Sequence, residues 1–475
     1  MTVVLKADQQ EIIERQLQKL TCFLDGLGLP SDNVIADYQS RQFIGQNLPA
    51  YIQSLPNEIV TNARYLSKFV VGAGIGLFDY ALNAIWNEVV LSLRKKAIAY
   101  GLDIFFDAAV GGNLRATYQS ENDLAGLKDI VLLGTCKKLE LITETVYKKL
   151  AHILDMRNSI GISHPTAQVV NSFELLGWLD TCIKDVLNDC PSESAIQVKA
   201  FIENLKNATE IVDNPTLGTI QLKITSLSST HCCNILTTIF GMFVSNEASQ
   251  VLRKNISFIA PIVWNCCPDQ VKYKLGILLE GYKTNLHSSK HKKGVVFFEK
   301  CDGNRYRTPH ERIVMLSELT DQLEEKHWEL DNFYNEVPII EKIMSYIKTS
   351  TDIPKEISYK MIKVLMLCRI GKGVSYHQGV SPVGKKHYDN FFSFLGENHI
   401  PILIKMFTDH AIKYRLDREI CRDQAKDFLS IVNENVVMNE RMEECLKYLE
   451  NNIQKNANIV SGNKFKDLSK AIVDW

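Results

Sequence analysis

Apolar residues recur at the 3.6-residue helical period along most of this chain, and few stretches alternate apolar with polar residues as a half-buried strand would. That single pattern predicts an all-α protein. With 475 residues the chain is long enough for about three domains at roughly 150 residues each. Residues 1–60 hold one helical pattern (9–24) followed by Gly- and Pro-punctuated loops, and are expected to form a helical arm or cap. Residues 61–190 carry helical patterns over 61–100, 122–133, 136–156 and 166–187, which predicts a four- or five-helix bundle. Pro and Ser in 189–195 mark a boundary. A helical middle region, 191–310, is expected to end in a basic loop, and 311–475 to form an irregular helical C-terminal domain.

Two stretches break the pattern. In 286–312 the helical period stops, and the run Val295, Val296, Phe297, Phe298 is the best strand candidate, half of a hairpin closed at Asp302-Gly303. Residues 369–388 are a second, Gly-rich break. No fixed repeat period emerges.

Lys plus Arg total 54 against 55 for Asp plus Glu, a formal charge of -1, which excludes binding nucleic acid through bulk positive charge. Any such contact must use a local patch. No two of the twelve cysteines form a CxxC, so reduced thiols in a cytoplasmic protein are expected, with no zinc site. The N-terminus lacks the pattern of a signal peptide. Residues 69–93 are the most apolar window, but Asp79, Asn83, Asn87 and Glu88 interrupt it, so a buried helix is expected there and no membrane segment. The glycines Gly72, Gly74 and Gly76 miss the GxGxxG spacing by one position and suit close helix packing instead. His231-Cys232-Cys233 and Cys266-Cys267 read as buried small residues, because adjacent cysteines on a helix diverge by about 100°. Nucleophile-elbow, zincin and P-loop motifs are missing from the sequence.

One constellation stands out. Leu139, Ile142, Val146, Leu150 and Ile153 define an apolar stripe, and Arg157 falls four residues further along it. A permanent charge on a buried stripe is costly unless it is paired or faces a wet cleft. Seven residues of helix turn through about 700°, so continued helix would bring His164 within roughly 20° of Arg157. Pro165 suits the first position of a following helix, which runs through Val169, Val170, Phe173, Leu176, Leu179 and Ile183. A guanidinium, an imidazole and a helix N-terminus would then converge on one anion. Such a group suits metal-independent RNA cleavage by the ribose 2′-hydroxyl, with His164 moving the proton and Arg157 stabilising phosphoryl charge. The nearby cation should lower the pKa of His164. A second Arg-to-His spacing, Arg305 to His310, lies in the non-helical stretch with Pro309 between.

Arg157, the polar Asn158 directly after it and His164, set between two amphipathic helices of an all-α bundle, resemble the HEPN superfamily (higher eukaryotes and prokaryotes nucleotide-binding domain), whose signature is Arg, four to six residues, then His. The resemblance covers about residues 61–190. It implies a HEPN-like helical bundle and an endoribonuclease with Arg157, Asn158 and His164 in the site and no cofactor. It also implies a homodimer whose two motifs face one another, in antiviral abortive-infection, toxin–antitoxin or CRISPR-associated systems.

RNA contacts are expected from the two breaks: Lys290, Lys292, Lys293, Arg305 and Arg307 in the first, interleaved with Phe297, Phe298 and Tyr306, and Arg369, Lys372, Lys385 and Lys386 in the second, amid glycines. The C-terminal helices would sense, recruit RNA or restrain the nuclease, with a regulatory protein or antitoxin as a further partner. The rival expectation is a noncatalytic helical scaffold that binds a protein partner, with Arg157 merely ion-paired.

Overall fold

The structure is a computed structural model that describes residues 7–110, 112–160, 169–189, 193–456 and 458–473. Every regular element among the described residues is helical, so the fold is all-α. The chain divides into two compact units, residues 1–241 with 249–255, and residues 242–248 with 256–475. The expected hinge at 189–195 therefore lies inside the first unit.

The first unit is built around the helix Phe78–Tyr100, whose buried residues include Phe78, Leu82, Ile85, Trp86, Val89, Leu93 and Ala97. An apolar surface this broad cannot be covered from one side, and the helices Arg64–Ile75, Leu102–Ala109, Asp129–Lys138, Glu144–Ile160, Ser172–Cys182 and Glu193–Asn207 pack against it. Its polar interruptions have partners. Glu88 is buried because its Oε2 accepts the Tyr65 and Leu66 N–H groups at 3.0 and 3.2 Å, satisfying the open N-terminus of the helix Arg64–Ile75. Buried Lys96 pairs with Asp189 at 2.7 Å. The apolar window 69–93 is thus two helices, broken at Gly76, which ends the first in a left-handed conformation (φ 90°). At Gly72 a Cβ would touch Tyr80 Cδ1 at 3.0 Å, so the close approach expected of these glycines holds at this position. No described helix is long and apolar enough to cross a membrane.

In the second unit the helix Lys355–Ile370 holds the centre, with Met361, Ile362, Leu365, Met366 and Cys368 all buried. The helices Pro309–Trp328, Lys385–Ser393, Ile400–Met406 and Glu419–Asn435 surround it. Thr308 caps the first of these by accepting the Glu311 N–H, with Pro309 in the first turn.

Several expected boundaries move. Residues 38–53, read as loop, form the helix Tyr38–Gln53, capped by the Asp37 carboxylate and carrying Pro49 inside it. Residues 136–156 are the ends of two helices, because Glu140 takes a left-handed φ of 57° and Thr143 Oγ1 caps the next helix by accepting the Val146 N–H. Residues 122–133 are a short turn (Glu121–Gly126) followed by the helix Asp129–Lys138. The strand and hairpin at 295–303 are wrong: these residues lie in the helix Ser288–Lys300 and its terminal turn. Gly294, Phe297, Phe298 and Cys301 are its buried face, spaced as a helix requires.

Candidate functional site

The helix Glu144–Ile160 buries Leu150, Ile153, Leu154 and Ile160 and carries Arg157 in its last turn. A cation there offsets the negative end of the helix dipole. Leu139 and Ile142 are buried as the stripe requires, but they precede this helix.

The Arg157 side chain is 24% exposed, neither sealed in the core nor free in water. Its Nε donates to Asn83 Oδ1 at 2.8 Å and its Nη1 to Asn158 Oδ1 at 3.0 Å. Asn83 is itself oriented, because its Nδ2 donates to the Asp79 carbonyl one helical turn back at 3.0 Å, leaving its oxygen for the guanidinium. The nearest carboxylate oxygen, Asp129 Oδ2, stands 3.9 Å from Nη1 and accepts the buried Trp86 indole N–H at 2.7 Å. Two neutral amides thus aim the cation, and the Asp129 carboxylate, shared with Trp86, forms a long ion pair with it. Nη2 makes no hydrogen bond to a described residue.

His164 and Pro165 lie outside the described residues. The expected helix from Pro165 is corrected in its described part: the helix is Ser172–Cys182, and Asn171 caps it by accepting the Phe173 N–H at 2.8 Å. An Asn cap outcompetes continued helix at Val169 and Val170. Val169 and Phe173 are exposed, whereas Val170, Leu176, Leu179 and Ile183 are buried.

The basic residues of the two breaks meet different fates. Lys292 and Lys386 are exposed, and Lys290 lies 5.8 Å from the Tyr282 ring. Lys293 Nζ bonds Asn246 Oδ1 at 2.8 Å, Lys372 Nζ the Glu329 carbonyl at 2.9 Å, and Lys385 Nζ the Asp427 carboxylate at 2.7 Å. Arg305 stands 3.8 Å from Asp352. Arg307 is wrongly placed on an RNA-binding loop: it is buried, 3.1 Å from Glu311 and 2.8 Å from the Tyr346 hydroxyl. Phe297, Phe298 and Tyr306, expected to stack on bases, are buried too, and so is Arg369, which pairs with Asp389 at 2.5 Å and Asp427 at 3.2 Å.

Sequence reasoning missed a buried polar network in the second unit. Glu336 accepts from His327 Nδ1 at 2.6 Å, Asn332 Nδ2 at 2.7 Å and the Tyr388 hydroxyl at 2.8 Å. Arg415 Nη1 lies 3.0 Å from His327 Nε2, and its guanidinium stacks 5.1 Å from the Trp328 ring. Arginine only donates, so Nε2 accepts and Nδ1 carries the proton that bonds Glu336. Burial holds the His327 imidazole below its ordinary value, against the pull of Glu336, and pushes the Tyr388 hydroxyl and Cys368 thiol upward. Ligand atoms of His327, Glu336 and Cys368 lie within 4.8 Å of one another. The 2.6 Å His327–Glu336 contact and the cation on the other ring nitrogen make this a hydrogen-bonded core rather than a metal centre. Partners 52 and 88 residues apart gave no local signal in the sequence.

No family model matches the chain, and comparison with curated proteins and with solved structures yields no match.

Proposed function

We propose that residues 61–190 are a metal-independent, HEPN-type endoribonuclease in which Arg157, Asn158 and His164 act on an RNA phosphodiester. The observation that supports this is the Arg157 guanidinium, partly exposed and aimed by Asn83 and Asn158, with its nearest carboxylate oxygen 3.9 Å away. In the proposed reaction the 2′-oxygen attacks phosphorus and gives up its proton to a base. Arg157 stabilises the charge on the phosphoryl oxygens, and the departing 5′-oxygen takes a proton from an acid. The products are a 2′,3′-cyclic phosphate and a 5′-hydroxyl. His164 is the proton carrier by its place in the sequence motif, and DNA is inert because it lacks the attacking group. The motif resemblance extends the proposal to a cytoplasmic homodimer serving antiviral defence or acting as a toxin. The second unit would then be the regulatory part, or the docking place of an antitoxin. Of the basic residues, the exposed Lys292 and Lys386 are the best placed to meet a phosphate.

The scaffold reading keeps one observation in its favour: Arg157 occupies a last helical turn near Asp129, where a cation has a purely structural use. One experiment separates the two. Purified protein is incubated with total tRNA and mRNA in EDTA, beside Arg157→Ala and His164→Ala. The nuclease reading expects cyclic-phosphate ends from the parent and about 100-fold or greater loss in each variant. A parent that leaves RNA intact, or variants that cut as fast, returns the chain to the scaffold reading.

A further inference from the structure

The second unit contains a cleft of about 530 Å3 whose walls include Phe333, Tyr334, Pro338, Tyr376 and Val383, with Glu341 as its acid. A strained loop makes one wall. Between the helices Lys355–Ile370 and Lys385–Ser393 the chain passes through positive φ at Gly371, Gly373 and Gly379, and through left-handed conformations at His377 (φ 48°) and Gln378 (φ 55°). Residues other than glycine adopt this geometry at a cost, and hold it only where the surroundings impose it. Here Ser381 Oγ donates to the Phe333 carbonyl at 2.6 Å and Gln424 Nε2 to the Gln378 carbonyl at 3.3 Å. The loop thereby sets the Tyr376 ring parallel to Phe333, 11° between planes and 5.9 Å between centroids, with the His377 and Tyr376 rings T-shaped, 63° between planes and 4.2 Å between centroids.

These rings are not core. Tyr334 is 76% exposed and Tyr376 63%, and the loop holds Tyr376 against the cleft. Lysine and arginine are missing from the described lining, whose titratable groups besides the two tyrosines are Glu341, its acid, and His377, its base. The Glu341 side chain is 52% exposed. Among the described residues its one side-chain partner is His387, 3.4 Å away, which compensates it only when protonated. Aromatic faces carry negative electrostatic potential, and a carboxylate beside them adds to it. Such a surface repels phosphate. It favours a cation, and most of all one with weakly held water, since aromatic faces offer no strong hydrogen-bond acceptors to replace the hydration of a bare ammonium.

We propose that this cleft binds an organic cation of the quaternary or methylated ammonium class, held against Tyr376 and Tyr334 and neutralised by Glu341. The cation can be a free small molecule or the end of a modified lysine side chain. Neither source depends on the ribonuclease reading.

Calorimetry on the full-length chain tests this with three probes: choline, its neutral isostere 3,3-dimethylbutanol, and paired peptides carrying lysine or trimethyllysine. Choline or the trimethyllysine peptide should bind at least 10-fold more tightly than 3,3-dimethylbutanol or the lysine peptide, respectively. Tyr376→Ala should abolish that binding, and Glu341→Gln should weaken it about 5-fold. Both residues are solvent-exposed, so unchanged thermal melts confirm that the variants fold. Binding of choline assigns a free ligand, and binding of the trimethyllysine peptide alone assigns a protein partner. Equal binding of the neutral isostere, indifference to Glu341→Gln, or no heat with any cation overturns the proposal.

Discussion

Asn83, from the helix Phe78–Tyr100, and the adjacent Asn158 hold the Arg157 guanidinium at the end of its own helix. Arg157→Ala removes charge-assisted hydrogen bonds and a long ion pair from a partly exposed group, so it should destabilise by about 1–3 kcal/mol in urea unfolding, leaving the protein folded, while abolishing RNA cleavage. The sequence marked Arg157, because a charge on an apolar stripe is an anomaly, but not the amide that aims its Nε, since Asn83 lies 74 residues away. Arg307 teaches the opposite lesson. It looked like a phosphate contact because it sat among lysines, yet its partners, Glu311 one turn on and Tyr346 39 residues on, take it into the interior. Glu336 makes the sharpest residue-level prediction about stability. Its side chain satisfies three buried donors, so Glu336→Leu strands them and leaves Arg415 without a nearby counter-charge. Chemical denaturation should show a loss of about 3–5 kcal/mol. Glu336→Gln, which keeps the shape, should cost less. Equal losses would mean that shape, not hydrogen bonding, sets the contribution of this network.

Among the elements, the long amphipathic helix Pro309–Trp328 was legible because Ile313, Leu316, Leu319 and Leu323 recur at helical spacing after Pro309. The helix Ser288–Lys300 was not, although Gly294, Phe297, Phe298 and Cys301 keep helical spacing. Four consecutive apolar residues outweighed that spacing, and the flanking lysines and histidines hid the rest of the face. Packing between elements is tested by two glycines of one helix, Asp269–Thr284. A Cβ on Gly276 would overlap the Tyr306 carbonyl oxygen, which is backbone and cannot swing aside. At Gly281 a Cβ meets nothing within 4 Å. Gly276→Ala should destabilise by about 1–3 kcal/mol. Gly281→Ala should stabilise by about 0.5–1 kcal/mol through helix propensity. Paired melting curves check both signs.

Across the whole molecule each compact unit has one nearly enclosed helix, Phe78–Tyr100 or Lys355–Ile370, with amphipathic helices around it. All-α class followed from periodicity, but where the chain divides did not, because a boundary depends on which faces meet. The units share an electrostatic consequence. His231 in the first unit, and His327 and His399 in the second, are each held below their ordinary value, with burial as the largest cause. The unfolded chain therefore binds protons at these sites more readily than the folded one. Stability should be fully present above pH about 6.5 and fall as pH drops below it, by up to about 1.4 kcal/mol per pH unit for each histidine. Urea midpoints at pH 7.5 and 5.5 measure this, and His327→Gln should flatten the dependence. The proposed ribonuclease chemistry, in which Arg157 and its partners direct a ribose hydroxyl at its own phosphate, is tested at the reacting bond itself. An RNA cut by the parent protein is resynthesised with a single 2′-deoxy nucleotide on the 5′ side of the mapped cleavage site. Cleavage there should stop while neighbouring sites stay sensitive. Cutting at the same bond and the same rate would rule out attack by the 2′-hydroxyl.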